Sequence, residues 1–222
     1  MTRAVPRLFP APASRDDALV AFTDFDKVVA FLSFLQVRLA ATLSAYGVMW
    51  NDYYHEVTAE GWHRAPLPRD HPFYVVFRAE GADPGSDKAR FGQVLADALD
   101  EGLIADVVLP KSDSEVREIW NIREDFEAIL EMQPSYLYDV SLHFFVIPGQ
   151  EGDHFEMCSE CVYEPLRPYG GSVSAEHCIG TSKMRWLPHS RSATDIELMH
   201  TLKRTLDPKN ILNPGRNIDE IG

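Results

Sequence analysis

The amino-acid sequence predicts an α+β fold in which helices cover one face of an antiparallel sheet. Stretches with strand propensity alternate with amphipathic helical stretches along the 222 residues. Several connections between them are too short for the crossovers that parallel strands require, so the strands are expected to pair antiparallel. Because 45% of the residues are hydrophobic, the chain can bury one substantial core.

Elements in the first half of the chain follow from caps and hydrophobic spacing. Residues 1–14 are rich in proline and are expected to form an extended strand. Asp24 is a suitable N-cap for a helix that continues to residue 45, because the apolar residues after it keep helical spacing. The other predicted elements are an extended aromatic stretch at 47–58, a strand at 71–79, a helix at 86–101 that Gly102 closes, and a strand at 104–109.

In the second half, Ser112 is predicted to cap a helix. Glu115 follows it at the spacing of a capping box, and the helix carries Trp120 and Arg123. The remaining predicted elements are a strand at 143–148, a helix at 153–166 and a helix at 192–206 that ends before Pro208.

The charge and the hydropathy pattern disfavour several classes of partner. With 21 Lys and Arg against 34 Asp and Glu, the formal net charge is -13, which opposes binding to nucleic acid or to an anionic membrane surface. No apolar run approaches the ~20 residues of a membrane span, and the amino terminus lacks the pattern of a signal peptide. Three cysteines fit a reducing compartment. We therefore expect a soluble cytoplasmic protein.

Two segments carry the strongest indications of chemistry. Residues 170–183 read GGSVSAEHCIGTSK, and residues 206–216 read LDPKNILNPGR. The first segment sets Glu176 beside His177 between glycines. Adjacent residues cannot share one helix face, so an irregular turn is the setting in which both side chains can be aimed at one target.

These segments resemble the carboxy-terminal domain of FAD-linked oxidases, in which the patterns are GGSxSAEHGxGxxK and LDPxxxLNPG. Residues 120–124 are similar to the WxxRE pattern of that family, and residues 2–12 resemble the strand that closes its flavin domain. The resemblance covers almost the whole chain. One departure lies in the first motif, where Cys178 stands at a glycine position and its Cβ restricts the backbone.

The resemblance implies a ferredoxin-like α+β domain with three parts. Residues 1–14 would be the remnant strand of a missing flavin-binding domain, 15–205 the cap or substrate domain, and 206–222 a segment returning to the flavin domain. The implied cofactor is FAD, although the chain has no GxGxxG or GxxxxGK[ST] loop for a pyrophosphate. The implied partners are a 2-hydroxy acid of the D-lactate, glycolate or D-2-hydroxyglutarate class and a separate flavin-binding domain or subunit.

The resemblance also assigns roles to individual residues. His177 would take the hydroxyl proton while the α-hydrogen leaves as hydride, and Arg123 would hold the substrate carboxylate. Glu176 would orient the substrate or ligate a metal. Asn213 and Arg216 would contact the cofactor. The alternatives are a loop histidine with one backbone hydrogen bond for His177, and for Arg123 a solvated side chain or one paired with Glu127 one turn on.

A divalent metal such as zinc is implied with an incomplete ligand set. In relatives, a GHxGDGNxH stretch supplies two histidines. In this chain residues 139–142 are followed directly by His143, and the rest of that stretch has no counterpart. His143 and Glu176 would then be the ligands, yet a catalytic zinc usually takes three from the protein. An ordinary aromatic strand is the alternative for His143. A second set, His154, Cys158 and Cys161, shares a helix face but lacks a nearby fourth ligand and is not expected to bind zinc.

Two functions remain open on the sequence alone. The leading one is the substrate domain of an FAD-dependent 2-hydroxy acid oxidoreductase, with Glu176, His177, His143 and Arg123 expected to converge on one cleft. The alternative is a non-catalytic fragment or partner-binding module, which the incomplete metal motif and Cys178 favour. A chain of this sequence is expected to fold but to be inactive by itself, because nothing in it holds the flavin pyrophosphate.

Overall fold

The computed structural model of the chain describes residues 10–60, 62–125 and 156–218, together with the backbone of 135–138, 145–148 and 155. The chain divides into two units, Met1–Ile129 and Leu130–Gly222.

The first unit is built on a four-stranded antiparallel sheet. Its strands are β1 (Ser14–Phe22), β2 (Leu43–Trp50), β3 (Phe73–Gly81) and β4 (Asp106–Val108), in the order β2-β3-β1-β4. Its helices are α1 (Phe25–Leu39), α2 (Asn51–Val57), α3 (Pro84–Asp100) and α4 (Asp113–Glu124). With α1 between β1 and β2 and α3 between β3 and β4, this order is the split βαβ arrangement of ferredoxin-like folds. The predicted α+β class with an antiparallel sheet is confirmed.

Helices cover both faces of this sheet, which corrects the expectation of one covered face. On the first face, α1 and α3 pack against residues such as Val20 and Phe77. On the second face, α2 and α4 pack against Leu19 and Val76. The reason lies in β1, whose residues 17–22 are all buried, because a strand covered on both sides has apolar residues in succession rather than in alternation.

The first two helices and strands begin or end at other residues than predicted, because tertiary contacts set these boundaries. The side chain of Asp24 caps α1 as predicted, but α1 ends at Leu39, since Ala40 has a φ of 48° and the chain then enters β2. Residues 51–57 form α2 instead of an extended stretch, because a helix places Tyr54 and Val57 together in the core of the second face. β1 lies at residues 14–22, and residues 1–9 of the strand expected at 1–14 lie outside the described residues.

The next two helices have caps at both ends or at the start, of which the sequence predicts Gly102 and Ser112. Asp83 caps α3, and Gly102 has a φ of 66° just after its end. At α4 the hydroxyl of Ser112 accepts from the Glu115 amide, while the Glu115 carboxylate accepts from the Lys111 amide. The predicted capping box is therefore formed in one direction only.

In the second unit, β5 (Ser135–Tyr138) pairs antiparallel with β6 (Phe145–Pro148). Two helices follow, α5 (Phe155–Tyr163) and α6 (Ala193–Leu206), with 3₁₀ turns at Glu164–Tyr169 and Met184–His189 between them. A reciprocal capping box between Ser192 and Asp195 begins α6, close to the start of the helix predicted at 192–206. A small apolar core holds the connecting loop; it consists of Val162, Tyr163, Leu166, Val173 and Trp186. In the part of the chain that the structure describes, none of the helices has the length and hydropathy needed to cross a membrane.

Candidate functional site

The loop at residues 170–183, called here the Glu-His loop, is anchored at its start. Gly170 has a φ of 63° and ends the preceding 3₁₀ turn, and the Gly171 amide donates to the Leu166 carbonyl. Val173 is fully buried, and its amide donates to the hydroxyl of Ser190. Only a left-handed residue can make this turn, which explains the first glycine of the motif.

Ser174 closes the Glu-His loop around its two candidate catalytic residues. Its hydroxyl donates to the Cys178 carbonyl over 2.8 Å, and it accepts from the Lys183 ammonium at 3.4 Å. Lys183 is only 9% exposed, so it is a buried residue of this loop and not a surface lysine. Between these anchors Glu176 and His177 are exposed, and each takes part in an interaction of its own.

Cys178 confirms that this loop position has a backbone suited to glycine. Its φ is 59°, in the left-handed region that a Cβ disfavours, and its side chain is exposed. A residue with a Cβ thus has a left-handed backbone here, which puts local strain next to His177.

The second motif is organised by Asp207, which follows α6. Its carboxylate accepts from the Lys203 ammonium at 2.5 Å and from the backbone amides of Ile211 at 3.0 Å and Leu212 at 2.8 Å. The Lys203 hydrogen bond and then the two amides hold the pKa of Asp207 below its usual range. One buried carboxylate thus shapes the turn that presents Asn213, whose φ is 49°.

The two motifs meet through Gly180 and Asn217. The Asn217 amide donates to the Gly180 carbonyl over 2.9 Å, and the Gly180 amide donates to the Asn217 side-chain oxygen over 3.1 Å. Gly180 lies three residues after His177, and Asn217 directly follows Arg216. The Glu-His loop and the exposed turn with Arg216 therefore form one surface of the second unit.

In the first unit, Trp120 fixes the helix that carries Arg123. Its indole N–H donates to a carboxylate oxygen of Asp17 over 2.6 Å, and the same oxygen accepts from the Arg78 guanidinium at 2.8 Å. The Asp17 side chain is 1% exposed, and Arg78 stacks over the Trp120 ring at 4.6 Å. Trp120 thus joins α4 to the central strand β1 through a charged, buried acceptor.

Arg123 lies one turn further along α4 and is exposed. Its side chain crosses β2 at Gly47, where a Cβ would stand 3.0 Å from the Arg123 Nε atom. The Tyr53 hydroxyl contacts the carbonyl oxygens of Arg123 and Asp125 at 3.0 Å and 3.1 Å. Burial raises the pKa of Tyr53 to about 12, so this hydroxyl stays protonated and able to donate. Glu127, the alternative partner of Arg123, lies outside the described residues.

The structure leaves the metal ligands and the common cleft as predictions. His143 and His154 lie outside the described residues, and among those described no group of three or more His, Cys, Asp or Glu residues is placed to hold a metal ion. Arg123 belongs to the first unit, and Glu176 and His177 belong to the second. Sequence reasoning missed the supporting residues Asp17, Gly47, Tyr53 and Asn217, of which only Gly47, a glycine inside an apolar strand, carries a signal of its own.

Comparison with protein families identifies the family to which the chain belongs. The model of the family described as FAD linked oxidases, C-terminal domain, matches residues 11–143 and 132–217. The chain belongs to this family. The two matches overlap at residues 132–143, where the sequence runs straight into His143, and together they include Arg123 and both motifs of the second unit.

Individual relatives of this FAD-linked oxidase domain are enzymes about twice its length. The D-2-hydroxyglutarate dehydrogenase of Stutzerimonas stutzeri is 25% identical over 97% of this chain and 55% of its own length. The mitochondrial D-2-hydroxyglutarate dehydrogenase of Bos taurus is 30% identical over 92% of this chain and 44% of its own length. The chain thus spans about half of these relatives. The alignments extend over 261 and 241 positions, more than the 222 residues of this chain, so both relatives contain internal residues that it lacks.

A solved structure supports the fold. Crystalline p-cresol methylhydroxylase with substrate bound superimposes with a TM-score of 0.68 over 95% of this chain and 54% of that protein. At 14% identity this likeness concerns the fold alone.

Proposed function

We propose that the chain forms the substrate domain of an FAD-dependent oxidoreductase that oxidises a 2-hydroxy acid. The observation that carries this proposal is the junction of Gly180 with Asn217, which holds the two family motifs on one exposed surface. The names of the relatives favour D-2-hydroxyglutarate as the substrate, with D-lactate and glycolate as the other members of the class.

Arg123 is proposed to bind the substrate carboxylate. Arg123 is an exposed residue and makes no ion pair within the described residues, which supports its availability to a soluble anion. The planar fork of arginine matches a carboxylate in two parallel hydrogen bonds. The net charge of -13 repels anions in general, so a local cation of this kind is needed to bind one.

His177 is proposed to accept the hydroxyl proton of the substrate. Removing this proton lets the oxygen form a carbonyl as the α-hydrogen departs with its electron pair, and the product is a 2-oxo acid. A bound flavin supplies the acceptor for that hydride. Glu176 would orient the hydroxyl or the imidazole, and Asn213 and Arg216 would contact the flavin.

A divalent ion such as zinc would have His143 and Glu176 as its candidate protein ligands. Two protein ligands are one fewer than a catalytic zinc usually has, and the sequence contains no GHxGDGN stretch to supply another. We therefore propose that proton transfer by His177, rather than polarisation by a metal, is the main chemical contribution of this chain.

A partner-binding module without catalysis is the second candidate. It is favoured by Cys178, which puts strain at the turn that should aim His177.

The three free cysteines further support our proposal of a reducing, cytoplasmic location.

Titration of the purified chain with D-2-hydroxyglutarate, D-lactate and glycolate tests the proposal. Changes in amide NMR shifts would report binding, which we expect for at least one acid in the millimolar range or tighter. Arg123→Gln should abolish binding, because it removes the cation and keeps much of the side-chain volume. Arg117→Gln, at another position of α4, serves as the control. Absence of binding by all three acids, or binding unaffected by Arg123→Gln, would favour the non-catalytic module.

A further inference from the structure

We propose that Gly47 and Tyr53 are positioning residues that hold Arg123 ready for its carboxylate ligand. This inference rests on the proposed role of Arg123 as the carboxylate-binding residue. Gly47 would leave room for the arginine stem, and Tyr53 would hold the end of the helix from which that stem projects.

Gly47 is explained by the side chain that crosses it. It lies inside β2, opposite Val76 of β3, and its φ is outside the left-handed range that favours glycine. A glycine weakens a strand, so its presence here calls for a reason other than backbone conformation. A Cβ would stand 3.0 Å, 3.4 Å and 3.5 Å from the Nε, Cγ and Cδ atoms of Arg123. The arginine stem occupies the space that a side chain at residue 47 would fill.

Tyr53 fixes the carboxyl end of α4. The last carbonyl groups of a helix have no partner within the helix, and here the Tyr53 hydroxyl reaches the carbonyls of Arg123 and Asp125. His63 adds a second attachment, with its Nε2 atom 2.9 Å from the Asp125 carboxylate. One turn earlier, Trp120 is bound to Asp17. The backbone of Arg123 is therefore held on both sides.

The consequence is a preorganised arginine. A free arginine side chain samples many rotamers and loses that freedom when it binds an anion, which weakens binding. A stem already lying along the sheet at Gly47 has lost most of this freedom in advance. Displacing it should weaken carboxylate binding by roughly 10-fold, the effect expected for one side chain of this kind.

Gly47→Ala is the decisive variant, with Gly92→Ala as its matched control. A Cβ at Gly92, in α3, would meet nothing within 4 Å, so the control adds the same methyl group without a collision. The Arg123 Nε–H signal, assigned through Arg123→Lys, reports the position of the stem by NMR. We expect Gly47→Ala to shift this signal and to raise the Kd for D-2-hydroxyglutarate by roughly 10-fold. Gly92→Ala should change neither, and Tyr53→Phe should broaden the signal and raise the Kd.

A double-variant cycle separates positioning from a general loss of stability. If Gly47 acts through Arg123, Gly47→Ala should have little further effect on the Kd in an Arg123→Lys background. Binding that depends on Arg123 but is the same in Gly47→Ala and Tyr53→Phe, with an unchanged Nε–H signal, would overturn the inference. If the wild-type chain binds none of the acids, the proposed function fails separately. The Nε–H signal then decides alone: a shift in Gly47→Ala supports positioning, and an unchanged signal overturns it.

Discussion

At the scale of single residues, Cys178 occupies a motif position whose left-handed backbone is unfavourable for a residue with a Cβ. Its φ of 59° costs a residue with a Cβ about 1–2 kcal/mol, whereas glycine pays mainly in the entropy of the unfolded chain. The sequence alone identified this position, because the family pattern has glycine there. We predict that Cys178→Gly raises the free energy of unfolding by about 0.5–1 kcal/mol, measured by urea denaturation.

Cys178→Ala is the control for this prediction. It removes the thiol but keeps the Cβ, so the backbone strain should remain and the stability should stay close to that of the wild type. If both variants stabilise the chain equally, the thiol rather than the backbone conformation is responsible.

Asp207 gives a pH-dependent prediction at the same scale. Its pKa is lowered from the usual 3.8 by the Lys203 hydrogen bond and by two backbone amides. A lowered pKa in the folded state means that the ionised group stabilises the fold above pH 3.8, and that this contribution is lost as the pH falls through the lowered value. The stability difference between wild type and Asp207→Asn should therefore shrink from about pH 7 to about pH 3. The exposed Glu60→Gln is the control, and a difference that stays constant with pH would contradict the assignment.

At the scale of elements, local signals such as caps predicted the structure, whereas elements that depend on tertiary burial were missed. The sequence predicts Asp24 and Ser112 as caps because a cap needs only its own next three residues. β1 was missed because its buried run of six residues has no alternation, and α2 was missed because its aromatic residues favour strands by propensity. Tertiary burial on the second face of the sheet decided both cases.

The candidate site divides in the same way. Its motif residues were found by their pattern, whereas the residues that support them are distant in sequence. Trp120 and Asp17 are 103 positions apart, and no sequence pattern around either residue indicates the hydrogen bond between them. Such a contact exists only because the topology sets β1 at the centre of the sheet, beneath α4.

The hydrogen bond from Trp120 to Asp17 leads to a prediction about how much it stabilises the attachment of α4. Trp120→Phe keeps most of the packing but removes the indole donor, which leaves a buried carboxylate with one hydrogen bond fewer. We expect a loss of about 1–3 kcal/mol in the free energy of unfolding. The control is Trp62→Phe, because Trp62 is 37% exposed and its change should be nearly neutral. Equal losses in the two variants would show that the Asp17 hydrogen bond contributes nothing beyond packing.

At the scale of the whole molecule, the chain combines a complete sheet domain with two family motifs in about half the length of its relatives. The two family-model matches overlap at residues 132–143, the region in which residues 139–142 run directly into His143. The motifs that we propose to bind and orient a substrate are present in the sequence, whereas a GHxGDGNxH stretch is not.

The last prediction concerns the flavin. A pyrophosphate is held by successive backbone N–H groups of a glycine-rich loop or a helix start, and this sequence contains neither GxGxxG nor GxxxxGK[ST]. With a net charge of -13, the proposed flavin contacts of Asn213 and Arg216 should not be enough to retain the cofactor. Titrating FAD into the chain and following flavin fluorescence should therefore show no saturable binding in the micromolar range. Addition of a 2-hydroxy acid should not bleach the flavin absorbance, whereas the same acid should still shift the amide signals that report Arg123. Saturable FAD binding, or reduction of the added FAD, would show that this chain carries a flavin site of another design.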